Sequence, residues 1–227
     1  MNIFVTGTDT GVGKTYISRL LIEALRRAGH DTVGMKPICC GDRADAEELH
    51  AASGHAVPLN LINPVWLRAP AAPYAASLVE NRTIDLSLVR DAFAELRSGY
   101  QSLIVEGVGG WRVPITRDYF VSDLAAEFAL PVVVVVANRL GALNHAILTL
   151  EAVRSSGLSC AGLILNETQN RTDESEIATS TNLAVLESVV DAPILFTVSC
   201  GQREVSLVNF SDLFSDTAVQ KDNTPRA

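Results

Sequence analysis

The sequence predicts an α/β fold, a mostly parallel β-sheet with helices on both faces, and three observations carry that expectation. Short runs of Val, Ile and Leu recur along the chain as continuous apolar stretches, the pattern of strands buried on both sides. Between them lie longer segments whose apolar residues repeat at helical spacing. Gly, Pro, Asn or Asp stands at most of the joins. The 227 residues, 48% of them hydrophobic, suit one core, and no internal repeat or linker divides them. One domain is therefore expected over residues 1–215, with a polar, frayed tail at 216–227.

Taken in order, Asn2 to Thr6 is a β-rich run ending at Gly7, followed by a loop of Gly, Thr and Asp. The next segment carries one apolar stripe through Ile17, Leu20, Leu21, Ala24, Leu25 and Ala28, with Gly29 as its stop. Thr32 to Lys36 reads as a strand closed by Pro37. From Cys39 to Thr83 the periodicity is weak, and Pro58, Pro64, Pro70 and Pro73 mark loops. Asp85 stands where an N-cap belongs, ahead of a helix with the stripe Leu86, Val89, Phe93 and Leu96. A strand at Ser102 to Glu106, a Gly-rich loop, a short helix near Ser122 to Ala129 and a strand at Val132 to Ala137 follow. The remaining expected units are a helix from Asn144 to Ser155 stopped by Gly157, a strand at Ala161 to Asn166, a helix near Glu174 to Val190 and a strand at Ile194 to Val198.

Bulk properties exclude several functions. A net charge of −8 leaves no excess of Lys or Arg to neutralise a nucleic-acid backbone. No apolar stretch approaches the ~20 residues that span a bilayer, the longest being Leu130 to Ala137. Met1 to Val5 has no basic lead and runs straight into a strand, so no signal peptide is expected. Cys39, Cys40, Cys160 and Cys200 contain no Cys-x-x-Cys pair and read as reduced thiols of a cytoplasmic protein. His30, His50, His55 and His145 lack ligand spacing.

The informative segment is Gly7-Thr8-Asp9-Thr10-Gly11-Val12-Gly13-Lys14-Thr15, between a strand and a helix, where a phosphate-binding loop requires it. Gly11 and Gly13 allow successive N–H groups to turn inward on phosphate oxygens, at the positive end of the helix dipole. Lys14 supplies a point charge for the β- and γ-phosphates, and the Thr15 hydroxyl can ligate Mg²⁺. The fold class thus narrows to a P-loop NTPase-like single domain using ATP. The usual spacing Gly-x4-Gly-Lys-Thr would put its first glycine at position 8, which is Thr8; Gly7 lies one residue too far. A second phosphate-site candidate is Leu103-Ile104-Val105-Glu106-Gly107-Val108-Gly109-Gly110, an apolar strand ending in an acid. A strand end with a solvated Glu and a glycine turn remains the plainer alternative there.

Phe4 to Thr10 together with Val12 to Thr15 resembles dethiobiotin synthetase, including the loop longer by one residue. Gly34-Met35-Lys36-Pro37, Val105 to Trp111, Leu140 to Ala146 and the strand ending at Asn166 are similar to the same family in the same order, over roughly residues 2 to 195. The resemblance implies that ATP, CO2 and the diamine 7,8-diaminononanoate give dethiobiotin, by way of a carbamate that ATP phosphorylates and a second amine that closes the ring. It implies that Lys14, Lys36 and Mg²⁺ lie between the two anions, with Thr10 at the reacting group. Thr15, Asp45 and Glu106 are then the metal-holding residues, with Asp42 close enough to be an alternative to Asp45. Gly11, Val12, Gly13, Lys14, Thr15, Tyr16, Glu106, Gly107, Val108 and Gly109 belong to the phosphate site, and Asn166 and Glu167 to the nucleobase. Cys40 and the segment Gly141, Ala142, Leu143, Asn144 are implied substrate contacts, the latter supplied by the partner subunit of a homodimer at a helix N-terminus suited to a carboxylate. An ordinary Asn N-cap is the competing reading of Asn144.

Three positions depart from the family pattern: Cys40 where Ser is common, Glu167 where Asp is usual, and Phe196 to Gly201 in place of a Gly-x-Ile-Pro-like stretch. Two other classes remain open from sequence. A partition or septum-positioning ATPase would carry an extra lysine early in the loop, where this chain has Asp9. A binding-only homologue would fit the altered Cys40 and C-terminal segment.

Overall fold

In the computed structural model, which describes residues 1–168 and 173–207, the phosphate-loop helix grows out of the first strand: β1 (Asn2–Gly7) leads to α1 (Lys14–Arg27) and β2 (Thr32–Met35). A run of short elements follows: β3 (Ile38–Cys40), α2 (Ala44–Ala52), α3 (Leu59–Ile62), β4 (Val65–Leu67) and α4 (Pro73–Val79). The chain then alternates through α5 (Leu86–Gly99), β5 (Ser102–Glu106), α6 (Val121–Phe128), β6 (Val132–Ala137), α7 (Ala142–Ser155), β7 (Cys160–Asn166), α8 (Asp173–Val189) and β8 (Ile194–Val198). The expected domain end near 215 and the tail at 216–227 lie outside the described residues.

Six strands form one parallel sheet in the order β2-β5-β1-β6-β7-β8. All residues of β5 and β6 are buried, which is why their sequences read as unbroken apolar runs. The chain moves from β1 toward one edge and later, after β5, toward the other. With right-handed crossovers that reversal puts α1 and α6 on opposite faces and opens a crevice beyond the carboxyl ends of β1, β5 and β6.

The stripe of α1 is buried at Ile17, Leu20, Leu21, Ala24 and Leu25; Ala28 is the exposed C-cap, and Gly29, with φ of 88°, ends the helix where expected. Asp85 caps α5 as expected, its carboxylate accepting from Ser87 N–H at 2.9 Å. Two readings need correction. Helix α7 starts at Ala142 after Gly141, whose φ of 91° makes the turn, so Asn144 lies inside the first turn and does not cap it. The stretch after Cys39 is not a string of loops: β3 and β4 pair as a small parallel sheet, and two of its prolines start helices, Pro58 ahead of α3 and Pro73 in the first turn of α4. Among the described residues no helix is long and apolar enough to cross a membrane.

Candidate active site

Strand register brings the charged residues together before any side chain is considered. Val5 is level with Glu106 across β1 and β5, and Met35 is level with Val105 across β2 and β5. Lys36, one step past Met35, therefore emerges beside Glu106, one step past Val105. The phosphate loop leaves β1 at the same end. A cleft of about 710 Å³ opens there, lined by Thr10, Gly11, Gly13, Lys14 and Thr15 from the loop, with Lys36, Asp45, Glu106, Val108 and Gly109 opposite.

Inside it the Lys36 ammonium donates to Asp45 Oδ2 at 2.7 Å and to Glu106 Oε1 at 2.5 Å. The Thr15 hydroxyl also donates to Glu106 Oε1, at 2.8 Å. Glu106 is fully buried, and its other oxygen, Oε2, has no partner. Burial acts to lower the pKa of Lys36, but the Glu106 and Asp45 carboxylates outweigh it and hold the group above the usual lysine value. Burial would raise the Asp45 carboxyl; the Lys36 charge and hydrogen bond bring it below the ordinary range. Lys14 is 7% exposed and donates to the carbonyl of Asp9 at 3.2 Å. With no carboxylate in contact, burial and the neighbouring Lys36 charge lower it to about 8, against the pull of Glu106, Asp45 and Asp9.

The loop itself is held from below. Gly11 and Gly13 have φ of 74° and 88°, conformations that side chains rarely adopt. Asn166, buried at the end of β7, donates its side-chain amide to the carbonyl of Val12 at 2.9 Å. A Cβ on Gly13 would sit 2.2 Å from that amide nitrogen, so the glycine is required by close approach as well as by backbone angle. Asn166 was expected at the nucleobase; its amide nitrogen here braces the phosphate loop.

Of the other expected residues, Cys40 lines the cleft, and burial pushes its thiol up to about 11. Asp42 lines it too, but its carboxylate accepts from Ala44 N–H, while Asp45 takes the lysine. Val12 is buried under the loop, and Gly107 packs against Phe4 and Val121. Tyr16 faces away, its hydroxyl donating to the carbonyl of Gln202 in the turn after β8. Glu167 follows Asn166 and donates its N–H to the Val198 carbonyl. Gly141, Ala142, Leu143 and Asn144 are absent from the lining of this chain's own cleft. Reading the sequence missed Cys39, Val113 and the Pro70 to Pro73 wall. The prolines were the available signal, since Pro73 starts a helix and lines the cleft.

No group of three or more His, Cys, Asp and Glu able to hold a metal occurs among the described residues. A hard cation that is also held by phosphate oxygens needs only one hydroxyl and one or two carboxylates from the protein. Thr15, Asp45 and Glu106, with its unpartnered oxygen, are a donor set of that kind.

A family profile described as an AAA domain matches residues 1–195. The chain is 46% identical over 201 residues to an ATP-dependent dethiobiotin synthetase from Akkermansia muciniphila, covering 88% of this chain and 93% of that protein. It is 42% identical to one from Aromatoleum aromaticum, with 85% and 87% covered. Among solved structures it is similar to the cell division protein FtsY of Thermotoga maritima, with a TM-score of 0.55, 15% identity, and 91% of this chain and 64% of that one covered. The septum site-determining protein MinD of Pyrococcus horikoshii, complexed with Mg-ADP, gives 0.52 at 15% identity, with 87% and 80% covered. At such identities these structures speak to the fold alone.

Proposed function

The chain belongs to the ATP-dependent dethiobiotin synthetases, and on that premise we propose how its cleft carboxylates 7,8-diaminononanoate with CO2 and closes the ureido ring with ATP. The observation that carries the reading is the meeting of two buried lysines, a loop hydroxyl and two carboxylates at one strand end.

One amine of the substrate attacks CO2 and loses a proton, giving a carbamate. A carbamate oxygen then attacks the γ-phosphorus and ADP leaves. The second amine attacks the carbonyl carbon, phosphate leaves, and the ring is closed. The difficult encounter is between two anions. Two unit negative charges about 4 Å apart repel by roughly 4 kcal/mol at the effective dielectric of a protein site. Lys14 is placed for the β- and γ-phosphates and Lys36 for the carbamate, with the Thr10 hydroxyl orienting the reacting group. Backbone N–H groups of Gly11 to Thr15 hold the triphosphate with no reorganisation, since Asn166 already fixes the loop. Thr15, Asp45 and Glu106 would hold Mg²⁺, which neutralises phosphate charge when bound. The nucleobase is assigned to the region of Glu167 and the turn after β8, and Cys40 to the diamine.

We also propose a homodimer in which the partner's Gly141 to Asn144 segment binds the carboxylate tail of the diamine. Two facts support it. The segment opens α7 behind Gly141, with the helix N-terminus at Ala142 to Asn144, and apolar side chains around it are bare, Leu140 at 85% and Leu148 at 55% exposure. The substrates are small molecules, with neither nucleic acid nor membrane as a partner. The cytoplasm is the proposed compartment, where ATP is held and the four free cysteines stay reduced.

The test is ADP release with CO2 and Mg²⁺, with and without the diamine. Diamine-dependent release with dethiobiotin as the product is expected. ADP release indifferent to the diamine would instead favour a switch-type ATPase, and no release at all a binding-only protein.

A further inference from the structure

Lys36 lies in the two-residue link where the chain passes from the six-stranded sheet to the two-stranded one. Both of its main-chain groups are held there by consecutive residues at the end of α3. Its N–H donates to the Ile62 carbonyl at 2.9 Å, and its carbonyl accepts from the Asn63 side-chain amide at 2.9 Å. The same amide nitrogen donates to the Val65 carbonyl at 2.8 Å. Asn63 is 2% exposed, and Pro64 after it disfavours the helical conformation, so α3 stops there with Asn63 at a φ of −128°. The oxygen end of the amide reaches a different element. Asn63 Oδ1 accepts from Arg43 Nε at 2.9 Å, and the Asn63 carbonyl accepts from the same guanidinium at 3.0 Å. Arg43 opens α2: its carbonyl accepts from Glu47 N–H, and Asp45 stands two positions on. Its guanidinium is also held over the Trp66 ring, 5.3 Å from the centre. Two carbonyls on one side and a guanidinium on the other permit one orientation of the Asn63 amide. Neither Asn63 nor Arg43 lines the cleft.

Resting on the assignment of Lys36 to the carbamate, we propose that Asn63 is a positioning residue for the reaction. It sets directly where Lys36 enters the cleft and, through Arg43, where Asp45 enters it. It touches no substrate. The lever is geometric, because the Lys36 ammonium sits at the end of a long side chain and is only as well placed as the backbone it starts from. Misplacing a catalytic group by about 1 Å can cost ~10²-fold in rate. The phosphate loop has its own brace in Asn166, on the other side of β1. Disturbing Asn63 therefore reaches the chemical step and leaves nucleotide binding in place. That separation distinguishes positioning from general support of the fold.

The test is Asn63→Asp, which keeps the shape and the acceptor for Arg43 but turns an oxygen on the two carbonyls. In this variant kcat for diamine-dependent ADP release should fall by about tenfold or more. KM for ATP and affinity for a fluorescent ATP analogue should stay within about twofold of the unmodified chain. Amide hydrogen exchange at Lys36, read by NMR without turnover, should quicken as its clamp loosens. Unchanged kcat overturns the proposal, as does a fall in kcat matched by an equal loss of nucleotide affinity, or one with exchange at Lys36 unaltered. Should Asn63→Asp fail to fold, Arg43→Gln on the half-buried arm carries the test. Its kcat should fall by roughly threefold or more with nucleotide affinity retained, and unchanged kcat overturns the proposal. The unmodified chain keeps the two readings apart. If it shows no diamine-dependent release, the functional assignment falls and this proposal with it; if it turns over normally and the variants do too, the proposal falls alone.

Discussion

Cys40 stands on the cleft wall, and its environment decides how its thiol behaves. Burial first, then the Glu80 charge, raises its thiol to about 11, and burial raises Cys39 to about 12 and Cys160 to about 11. The sign of the consequence follows from linkage. Above about pH 9 the unfolded chain loses these protons first, so folding stability falls as pH rises from there toward 11. At pH 8 all three remain thiols, and thiols are poor nucleophiles. Iodoacetamide at pH 8 should therefore label exposed Cys200 to completion while the other three stay intact by mass spectrometry, with all four labelled in denaturant. Fast modification of Cys40 in the native protein would contradict that picture of its surroundings. In the proposed diamine site, Cys40 would offer a weak S–H donor in place of a hydroxyl.

At the level of elements, the turn from β1 to α1 carries the strictest geometry. Gly13→Ala would add a methyl 2.2 Å from the Asn166 amide at a φ of 88°. Either the loop or Asn166 must move, and affinity for a fluorescent ATP analogue should drop by about tenfold or more. Unchanged affinity would mean that Asn166 can withdraw without cost to the loop. This element was readable in the sequence because its parts are local: a strand, fixed glycines, and a helix whose stripe is buried from Ile17 to Leu25. The same holds for β5 and β6, whose unbroken apolar runs match full burial. The stretch from Cys39 to Thr83 was not readable. Its strands are three residues long, α3 is four, and α2 buries only Ala46 and Leu49, so no window holds enough periods to stand out. Lys36 and Asp45 became interpretable only through the family resemblance, since a lone strand-end lysine carries no signature. The brace from Asn166 joins residues too distant in sequence for any motif to encode.

For the whole molecule, the proposed assembly makes a prediction that a monomer cannot satisfy. Asn144→Ala and Lys14→Ala chains should each be nearly inactive alone. Mixed and allowed to exchange subunits, they should recover part of the activity, because one hybrid site carries neither change. No recovery after mass spectrometry confirms exchange would mean that each chain completes its own site. The hydrogen bond from Asn166 to Val12 has a separate consequence, for the order in which the protein is made. It spans 154 positions, so the grip on phosphate is finished by one of the last strands to leave the ribosome. The brace is complete only when β7 has docked beside β6, and from then on the folded protein gains the mass-action stabilisation that nucleotide provides.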